Sequence, residues 1–334
     1  MKEIRVSDRK KFYSGKNFFP SRKLPDKMWK RNDRKGAVAM KIGIIGAGAV
    51  GLLYGGWLGK FHEVTMFPRT KEQARLLNEN GITVKGGMSP FTVSVKAQET
   101  PVSPGTQELV IVTVKQYDLS GAAAILKKMD TAIPVLFLQN GMGHLPLLEE
   151  LPQERILVGT VEHGAARIDA VTVAQNGRGK TNLAFFRGNW EGIAALLETA
   201  PDAFPFRLLP DYEIMLLRKC FANAMINPLT AVLKVKNGLL LTNPHYANVF
   251  RAVFEELIAL FPKLSREEMW EEVTGICRNT KENESSMLKD VKKGARTEID
   301  AILGFMLETA ARKEKEIPVS AALYEMVKGM ERRN

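Results

Sequence analysis

Residues 41–51 read KIGIIGAGAVG, a short apolar run followed directly by three glycines in a GxGxxG pattern. Apolar runs at 41–45 and 63–67 flank residues of helical character, which predicts a strand–helix–strand unit. In such a unit the first glycine allows a tight turn, the second lets backbone N–H groups approach a pyrophosphate, and the third lets the helix pack closely on the strand. The pattern therefore predicts a dinucleotide site formed by Gly46, Ala47, Gly48, Ala49, Val50 and Gly51.

The residues that follow the second strand indicate which dinucleotide binds. NAD-binding proteins place an acidic residue there, against the ribose 2′-hydroxyl, whereas this chain has Arg69. An arginine can form a charge-assisted, bidentate contact with a 2′-phosphate, so the sequence favours NADPH/NADP+ as the cofactor. The alternative is that Arg69 and Lys71 are solvated residues at a helix start, although basic side chains there oppose the helix dipole.

The hydropathy pattern changes near residue 210. Before it, apolar strands such as 109–114 and 133–138 alternate with helices, which is typical of a parallel sheet covered on both faces. Further strands, expected at the edge of that sheet, lie at 156–165, 171–175 and 182–186. After it, apolar residues recur three and four apart through six predicted helices. We expect an α/β Rossmann-type dinucleotide-binding domain at 40–210, followed by an all-α substrate-binding and catalytic domain at 211–334.

The positive charge of the chain is concentrated at its N-terminal end. The 334 residues carry 48 Lys and Arg against 37 Asp and Glu, a net charge of +11 that would ordinarily suggest a nucleic acid or membrane partner. Residues 1–39 account for +9 of this charge, and residues 40–334 for only +2. We expect residues 1–39 to be a disordered basic extension or the product of a start codon assigned upstream of Met40. No nucleic acid partner is expected.

The reactive residue types exclude several other classes of protein. Two cysteines, Cys220 and Cys277, are too few for a disulfide scaffold or a cysteine-built zinc site. None of the four histidines recurs at a metal-ligand spacing, so no metal is predicted. The chain has no uncharged apolar run of the roughly 18 residues that would span a bilayer, and no signal-peptide pattern. We therefore expect a cytoplasmic protein that does not bind membranes.

A predicted helix at 212–235 carries three polar side chains within an apolar sequence. Lys219, Asn223 and Asn227 recur every four residues, which places them on one face of the helix. Burying them without partners would cost about 1–3 kcal/mol for each amide and more for the ammonium. A cleft that holds a polar ligand is therefore favoured over a solvated face. Pro228 follows directly, and the alternative for Asn227 is that it ends a helix turn.

From Met40 onward the chain resembles the ketopantoate reductase family. The matching stretches are 41–51, TVK at 113–115, QNGMG at 139–143, residues 219–231 with their INPLTA core, NESSML at 283–288 and RTEID at 296–300. They are spread over both predicted domains in the family order. The resemblance implies an NADPH-dependent oxidoreductase that reduces 2-dehydropantoate to (R)-pantoate in pantothenate and coenzyme A biosynthesis, with its active site in the cleft between the two domains.

The resemblance also implies individual roles. Lys219 is expected to be the catalytic general acid, because an ammonium can stabilise and protonate the ketone oxygen as hydride reaches C2. Glu298 is expected to be the second catalytic residue, in contact with substrate and cofactor, although its sequence also fits the first turn of a helix. Lys115 and Asn140, at the ends of two strands, are expected to face the nicotinamide half of the cofactor or the substrate carboxylate.

The remaining expected substrate ligands are amides and a hydroxyl. They are Asn140, Asn223, Asn227, Asn237, Asn283 and Ser286. Asn283 and Ser286 also fit a helix cap before Met287, which is the structural alternative for both.

Other functions stay open from the sequence. Leu217 stands where relatives commonly have tryptophan, and the residues after Lys115 depart from the family wording, so a related NADP-dependent reductase of another 2-oxo acid is the main alternative. A nucleotide-sensing regulatory protein with a basic arm is the non-enzyme alternative, although no recognition motif accompanies the charge. Apolar positions on the helical domain would also suit a homodimer.

Overall fold

The structure is a computed structural model that describes residues 39–86, 89–99, 106–189 and 193–331. The predicted basic extension at 1–39 lies outside these residues, except for Ala39. The strands are β1 (Lys41–Ile45), β2 (Glu63–Phe67), β3 (Ile82–Lys85), β4 (Phe91–Val93), β5 (Lys96–Ala97), β6 (Leu109–Val112), β7 (Val135–Phe137), β8 (Ile156–Val161), β9 (Gly164–Arg167), β10 (Thr172–Gly177), β11 (Thr181–Arg187) and β12 (Phe206–Leu208).

The helices fall into two groups, five in the N-terminal part and seven after residue 210, counted over the described ranges. They are α1 (Ala49–Leu58), α2 (Lys71–Asn80), α3 (Leu119–Leu126), α4 (Leu145–Glu149), α5 (Ala194–Thr199), α6 (Tyr212–Leu233), α7 (Leu239–Thr242), α8 (Pro244–Ile258), α9 (Arg266–Asn279), α10 (Ser286–Lys292), α11 (Phe305–Arg312) and α12 (Pro318–Met330). A π-helical turn, Asp300–Gly304, precedes α11.

The main sheet has eight strands in the order β12-β11-β8-β7-β6-β1-β2-β5. From β5 to β8 all neighbours are parallel, and β11 is antiparallel to β8. The six parallel strands follow the doubly wound order 3-2-1-4-5-6, which leaves a crevice between β1 and β6, where the order of the strands reverses. The predicted fold class, a Rossmann-type domain followed by helices, is confirmed.

The predicted position of two strands is wrong. β9 and β10 do not extend the edge of the main sheet but pair with β3 and β4 in a second sheet of order β4-β3-β10-β9. Helix α1 packs against this second sheet through its glycines: a Cβ on Gly56 would lie 2.3 Å from Val84 Cγ2. On the same helix, Trp57 Nε1 donates a hydrogen bond to Gln175 Oε1 at 3.0 Å. The parallel pairing of β3 with β10 joins segments far apart in sequence, so local patterns did not indicate it.

Helix α6 is the longest described helix and most of its residues are buried. It continues through Pro228 to Leu233, so the alternative that Asn227 ends a helix turn is wrong. A proline inside a helix removes one backbone donor, and here the surrounding packing, with Pro228 fully enclosed, outweighs that loss. One apolar cluster runs from the sheet face of Phe137 to Phe221 of α6 and on into the other C-terminal helices.

None of the described helices is both long enough and apolar enough to cross a lipid bilayer.

Candidate active site

A large cavity lies between the sheet and the C-terminal helices. Its volume is about 2900 Å³, and its walls include residues from the carboxyl ends of β1, β6 and β8 and from α6, α9 and α10. Fifteen of the sixteen predicted site residues line it: Gly46, Ala47, Gly48, Ala49, Val50, Arg69, Lys115, Asn140, Lys219, Asn223, Asn227, Asn237, Asn283, Ser286 and Glu298. Gly51 lies behind the turn, buried in α1.

The glycine turn has the geometry that a dinucleotide requires. Gly46 has φ +104°, a left-handed conformation that favours glycine. At Gly51 a Cβ would lie 1.9 Å from the carbonyl oxygen of Gly46, so a side chain would push α1 away from the turn. At Gly48, which caps α1, a Cβ would meet nothing within 4 Å, so the approach to the helix N-terminus is open. The residues present therefore fit a pyrophosphate at this point.

Arg69 stands at the mouth of the cavity, two residues after β2. Its side chain is exposed, and no residue in the described ranges forms an ion pair or hydrogen bond with it. Thr70 caps α2 by accepting a hydrogen bond from the backbone N–H of Gln73 at 3.3 Å. The side chain of Gln73 in turn donates to the carbonyl oxygen of Ala47 at 2.9 Å, which ties α2 to the glycine turn. Arg69 is thus free to meet an anionic group of the bound cofactor.

Four polar residues from both parts of the chain meet in the cavity. Asn140 Nδ2 donates to Glu298 Oε2 at 3.0 Å, and Lys115 Nζ lies 4.0 Å from the same oxygen. Lys115 Nζ also donates to Asp290 Oδ2 at 2.7 Å. Burial alone lowers the pKa of Lys115, but the carboxylates of Glu298 and Asp290 outweigh it and raise the pKa above its ordinary value. Lys115 is therefore a fixed positive charge at the domain boundary.

The loop at 139–143 brings Asn140 to Glu298 because it packs directly on the π-helical turn. Gly141 has φ +77°, and a Cβ there would lie 2.1 Å from the carbonyl oxygen of Ala301. The backbone N–H of Met142 donates to that same oxygen at 3.3 Å. Such a close approach is available only to glycine, and it explains the QNGMG sequence at this position.

Lys219 projects from α6 into the cavity without a close partner. Its side chain is partly buried, and its ammonium has no hydrogen bond or ion pair within the described ranges. Burial lowers the pKa of Lys219 below its ordinary value, while the carboxylates of Glu162 and Glu272 partly oppose this effect. A desolvated ammonium with a lowered pKa gives up its proton more readily than an exposed lysine does.

Asn223 and Asn227 follow Lys219 along α6 and also face the cavity, as their spacing predicts. Their side-chain amides form no hydrogen bonds with the described residues. Asn237 differs, because its Nδ2 donates to Thr280 Oγ1 at 2.8 Å and its backbone N–H donates to the carbonyl oxygen of Asn283 at 3.0 Å. Asn237 therefore holds the segment before α10, and its direct contact with substrate stays a prediction.

The cap of α10 is Ser285. Its Oγ accepts a hydrogen bond from the backbone N–H of Leu288 at 3.1 Å and another from Thr230 Oγ1 at 2.7 Å. Because Ser285 performs the capping, the alternative that Asn283 and Ser286 cap this helix is wrong. Both of those side chains are exposed at the cavity wall.

Sequence reasoning missed two acidic residues of the cavity. Asp290 lies four residues after Ser286, a helical spacing that places both on one face of α10 and would have revealed it. Glu162 directly follows β8, at the sheet edge where ligands bind in this architecture. Two histidines pack in the interior: His144 is buried outside the cavity, and His163, which also lines the cavity, stacks on Phe204 with ring centroids 4.1 Å apart.

A glycine-rich turn, and an arginine after β2 and a lysine across the cleft that have no partner among the described residues, are features expected of a two-domain, dinucleotide-dependent oxidoreductase. The chain belongs to the ketopantoate reductase PanE/ApbA family, whose N-terminal domain matches residues 42–188 and whose C-terminal domain matches residues 211–331. The family predicted from the sequence is confirmed.

Relatives named 2-dehydropantoate 2-reductase are similar to this chain along nearly their whole length. The 2-dehydropantoate 2-reductase of Listeria innocua is 41% identical over 295 residues, which cover 87% of this chain and 97% of that protein. The Bacillus subtilis enzyme of the same name is 39% identical, over 88% of this chain and 98% of that protein. A crystal structure titled as the probable 2-dehydropantoate 2-reductase panE from Bacillus subtilis has 38% identity and a TM-score of 0.80, and covers 87% and 100% of the two chains.

A D-mandelate dehydrogenase structure with NADH and anilino(oxo)acetate shares the fold at 22% identity, with a TM-score of 0.78 and coverage of 87% of this chain and 98% of that one.

Proposed function

We propose that this chain reduces 2-dehydropantoate to (R)-pantoate with NADPH. The observation that carries the proposal is the ammonium of Lys219, which has no partner among the described residues and lies on the wall of the cavity that also holds the glycine turn. The bound cofactor supplies the hydride that reaches C2 of the substrate. The chain's own residues bind the 2-oxo acid, orient its ketone and deliver a proton to the ketone oxygen.

Lys219 is the proton donor in this proposal. Negative charge develops on the ketone oxygen as C2 is reduced, and an ammonium beside that oxygen stabilises the charge and then transfers a proton to it. The absence of a competing partner among the described residues leaves the N–H groups of Lys219 available to the substrate. Burial, which lowers the pKa of Lys219, makes this transfer easier.

Glu298 is the second catalytic residue in the proposal. Asn140 fixes its Oε2, whereas no described residue bonds Oε1, which is left to accept a hydrogen bond from a substrate hydroxyl. Asn223, Asn227, Asn283 and Ser286 supply donors and acceptors along the wall that Lys219 shares. Lys115, held in its charged form by Asp290 and Glu298, contributes a positive charge that suits a carboxylate or the cofactor.

The preference for NADPH is assigned to Arg69. The sequence resemblance implies an NADPH-dependent enzyme, and Arg69 lines the cavity two residues after β2, where a 2′-phosphate would meet it. Its guanidinium is free to form the bidentate contact that such a phosphate accepts.

The test is an NADPH-oxidation assay on the purified chain with a panel of 2-oxo acids. We expect 2-dehydropantoate to give the highest kcat/KM, and we expect Lys219→Ala to lower kcat by about 10²–10⁴-fold without loss of the folded state. A higher kcat/KM for an acid that lacks the 4-hydroxyl would instead assign the chain to reduction of another 2-oxo acid. Near-normal turnover by Lys219→Ala would remove Lys219 as the acid.

A further inference from the structure

Lys219 has a charged neighbourhood that the proposed reaction leaves unexplained. An acid catalyst must be protonated when substrate binds, yet burial favours the neutral form of the amine and lowers its pKa. A carboxylate facing the ammonium would counter that effect. The charged groups on α9, α10 and β8, three elements that pack against α6 and contribute to the cavity, show which carboxylate is available.

The acidic residues of α9 are engaged elsewhere. Arg218, directly beside Lys219, donates from Nε to Glu272 Oε2 at 2.8 Å and from Nη1 to Glu268 Oε2 at 3.2 Å. Glu271, the neighbour of Glu272 on the cavity wall, accepts a hydrogen bond from Arg278 at 2.8 Å. The negative charge that α9 offers to Lys219 is therefore largely neutralised.

The acidic residues near α10 are engaged as well. Asp290 and Glu298 share Lys115, at 2.7 Å and 4.0 Å from its Nζ. Lys289, also on α10 and on the cavity wall, adds a further positive charge. No net negative charge reaches Lys219 from this side.

Glu162 is the exception. It follows β8, one of the strands against which α6 packs, and it lines the same cavity as Lys219. The cation nearest to its carboxylate is Lys180, at 4.0 Å from Oε2, which is too far for a tight ion pair. Of the two carboxylates that raise the pKa of Lys219, Glu162 has the larger effect.

The Glu162 carboxylate is also fixed in place. Asn182 Nδ2 donates to Glu162 Oε1 at 2.7 Å and to Thr160 Oγ1 at 3.2 Å. Asn182 and Thr160 are both buried, on the neighbouring strands β11 and β8. The Glu162 side chain is itself about 40% exposed, and this buried amide limits its movement at the cavity wall.

We propose that Glu162 is a positioning residue that serves as the counter-charge of Lys219 across the cleft and keeps its ammonium protonated at the pH of catalysis. This inference rests on the proposed function, in which Lys219 is the acid. Activity then falls as the pH rises through the pKa of Lys219. Removing the charge of Glu162 lowers that pKa, so activity is lost at a lower pH.

The test is the pH profile of kcat/KM for 2-dehydropantoate from about pH 6 to about pH 11, at saturating NADPH. We expect Glu162→Gln, which retains an acceptor for Asn182, to lower the basic-limb pKa by roughly 0.5–1. Glu271→Gln, which removes the same charge from a carboxylate already paired with Arg278, should leave the limb in place. Lys180→Gln should move it in the opposite direction, because a positive charge is removed.

A second measurement separates this inference from the proposed reaction. Only the neutral amine of Lys219 reacts with an amine-directed reagent, and peptide mass spectrometry across the same pH range reports its titration without turnover. Labelling of Lys219 at lower pH in Glu162→Gln than in the native chain supports the inference, even if Lys219→Ala proves active and the proposed function fails. The inference would be overturned if Lys219 titrates at the same pH in the native chain and in Glu162→Gln. It would also be overturned if Glu162→Gln and Glu271→Gln shift the titration of Lys219 equally.

Discussion

Two lysines in one cavity have opposite environments, and the difference supports the separate roles proposed for them. Lys115 is surrounded by Asp290 and Glu298, which raise its pKa and hold it as a permanent cation. Lys219 is desolvated without a close carboxylate, and its pKa is lowered. A permanent cation binds anions, whereas an amine nearer neutrality exchanges a proton. The residue type alone does not distinguish these roles.

Arg69 gives the sharpest expectation about cofactor choice. Removing a charge-assisted, bidentate contact costs about 1.5–3 kcal/mol, so we expect Arg69→Ala to raise the KM for NADPH about 10–100-fold. The KM for NADH, which lacks the 2′-phosphate, should change by less than about 2-fold. Steady-state kinetics with the two cofactors check this.

Lys71→Ala is the matched control for Arg69→Ala. The substitution removes the same charge from the same helix start. The Lys71 side chain, however, is exposed and lies outside the cavity, and its Nζ is 4.0 Å from Glu99 Oε2. If Arg69→Ala and Lys71→Ala weaken both cofactors equally, Arg69 only adjusts the helix start and does not read the phosphate.

At the level of elements, the contact between the loop at 139–143 and the π-helical turn at Asp300–Gly304 brings Asn140 to Glu298. The π-helical hydrogen-bond pattern leaves carbonyl groups free: Ala301 accepts from Met142, and Ile302 accepts from Cys220 Sγ at 3.7 Å. Such turns are frequent at functional sites because they present backbone groups that an α-helix would occupy. Here the turn connects the sheet to the C-terminal helices.

Gly141→Ala tests this contact. The new Cβ would meet the carbonyl oxygen of Ala301 at 2.1 Å in a left-handed backbone conformation, so we expect a loss of about 1–3 kcal/mol in the free energy of unfolding. We also expect kcat/KM to fall, because Asn140 moves away from Glu298. Urea unfolding and steady-state kinetics measure the two effects.

Gly329→Ala provides the comparison for Gly141→Ala. Gly329 lies in α12, and a Cβ there would meet nothing within 4 Å. Alanine favours the helix by about 0.5–1 kcal/mol over glycine, so stability should stay the same or rise. A Gly141→Ala protein as stable and active as Gly329→Ala would contradict the proposed docking.

For the whole molecule, we expect a buried histidine in the core to make the free energy of unfolding decrease at acidic pH. His144 is fully buried, neither ring nitrogen has a partner among the described residues, and burial lowers its pKa to about 4. The unfolded chain binds a proton near pH 6.5, whereas the folded chain does not until about pH 4. The stability that His144 contributes is therefore complete above about pH 6.5 and falls by roughly 2–3 kcal/mol as the pH decreases to about 4.

His144→Leu should reduce this dependence without abolishing it, because burial also lowers the pKa of His163 to about 4. Leucine removes a buried imidazole without leaving a partner unsatisfied, so the free energy of unfolding at neutral pH should be retained. Urea unfolding at several pH values between about 7 and about 4.5 measures the slope. His245→Gln, at an exposed position at the start of α8, should leave the native slope unchanged. If His144→Leu keeps that slope too, His144 does not determine acid sensitivity.

The domains meet across the cavity through few polar contacts. The ion pair between Lys115 and Asp290 joins the loop after β6 to α10. The hydrogen bond from Asn140 to Glu298 joins the loop after β7 to the segment just before the π-helical turn. Below these contacts, α6 packs against β8 and β11, so the C-terminal helices continue the core of the sheet. The cavity is therefore open at the ligand-binding edge and closed at its base.

The sequence by itself determined the doubly wound sheet, the glycine turn and the stripe of Lys219, Asn223 and Asn227. These features depend on periodicity and on residue types within one strand–turn–helix or one helix, where neighbours in sequence are neighbours in space. The family resemblance added Glu298, whose local sequence alone fits a helix start.

Only the tertiary structure decided the second sheet, the continuation of α6 through Pro228, and the role of Ser285 instead of Ser286 as the cap of α10. It also decided that Glu162 and Lys219 line the same cavity and that Asp290 meets Lys115. In these cases the partners come from distant segments or from competing neighbours, and burial, not local preference, selects among them. Packing thus decides which charged side chain is available to the substrate. Lys115 forms an ion pair with Asp290 across the cleft, whereas Lys219 has no such partner among the described residues and remains available.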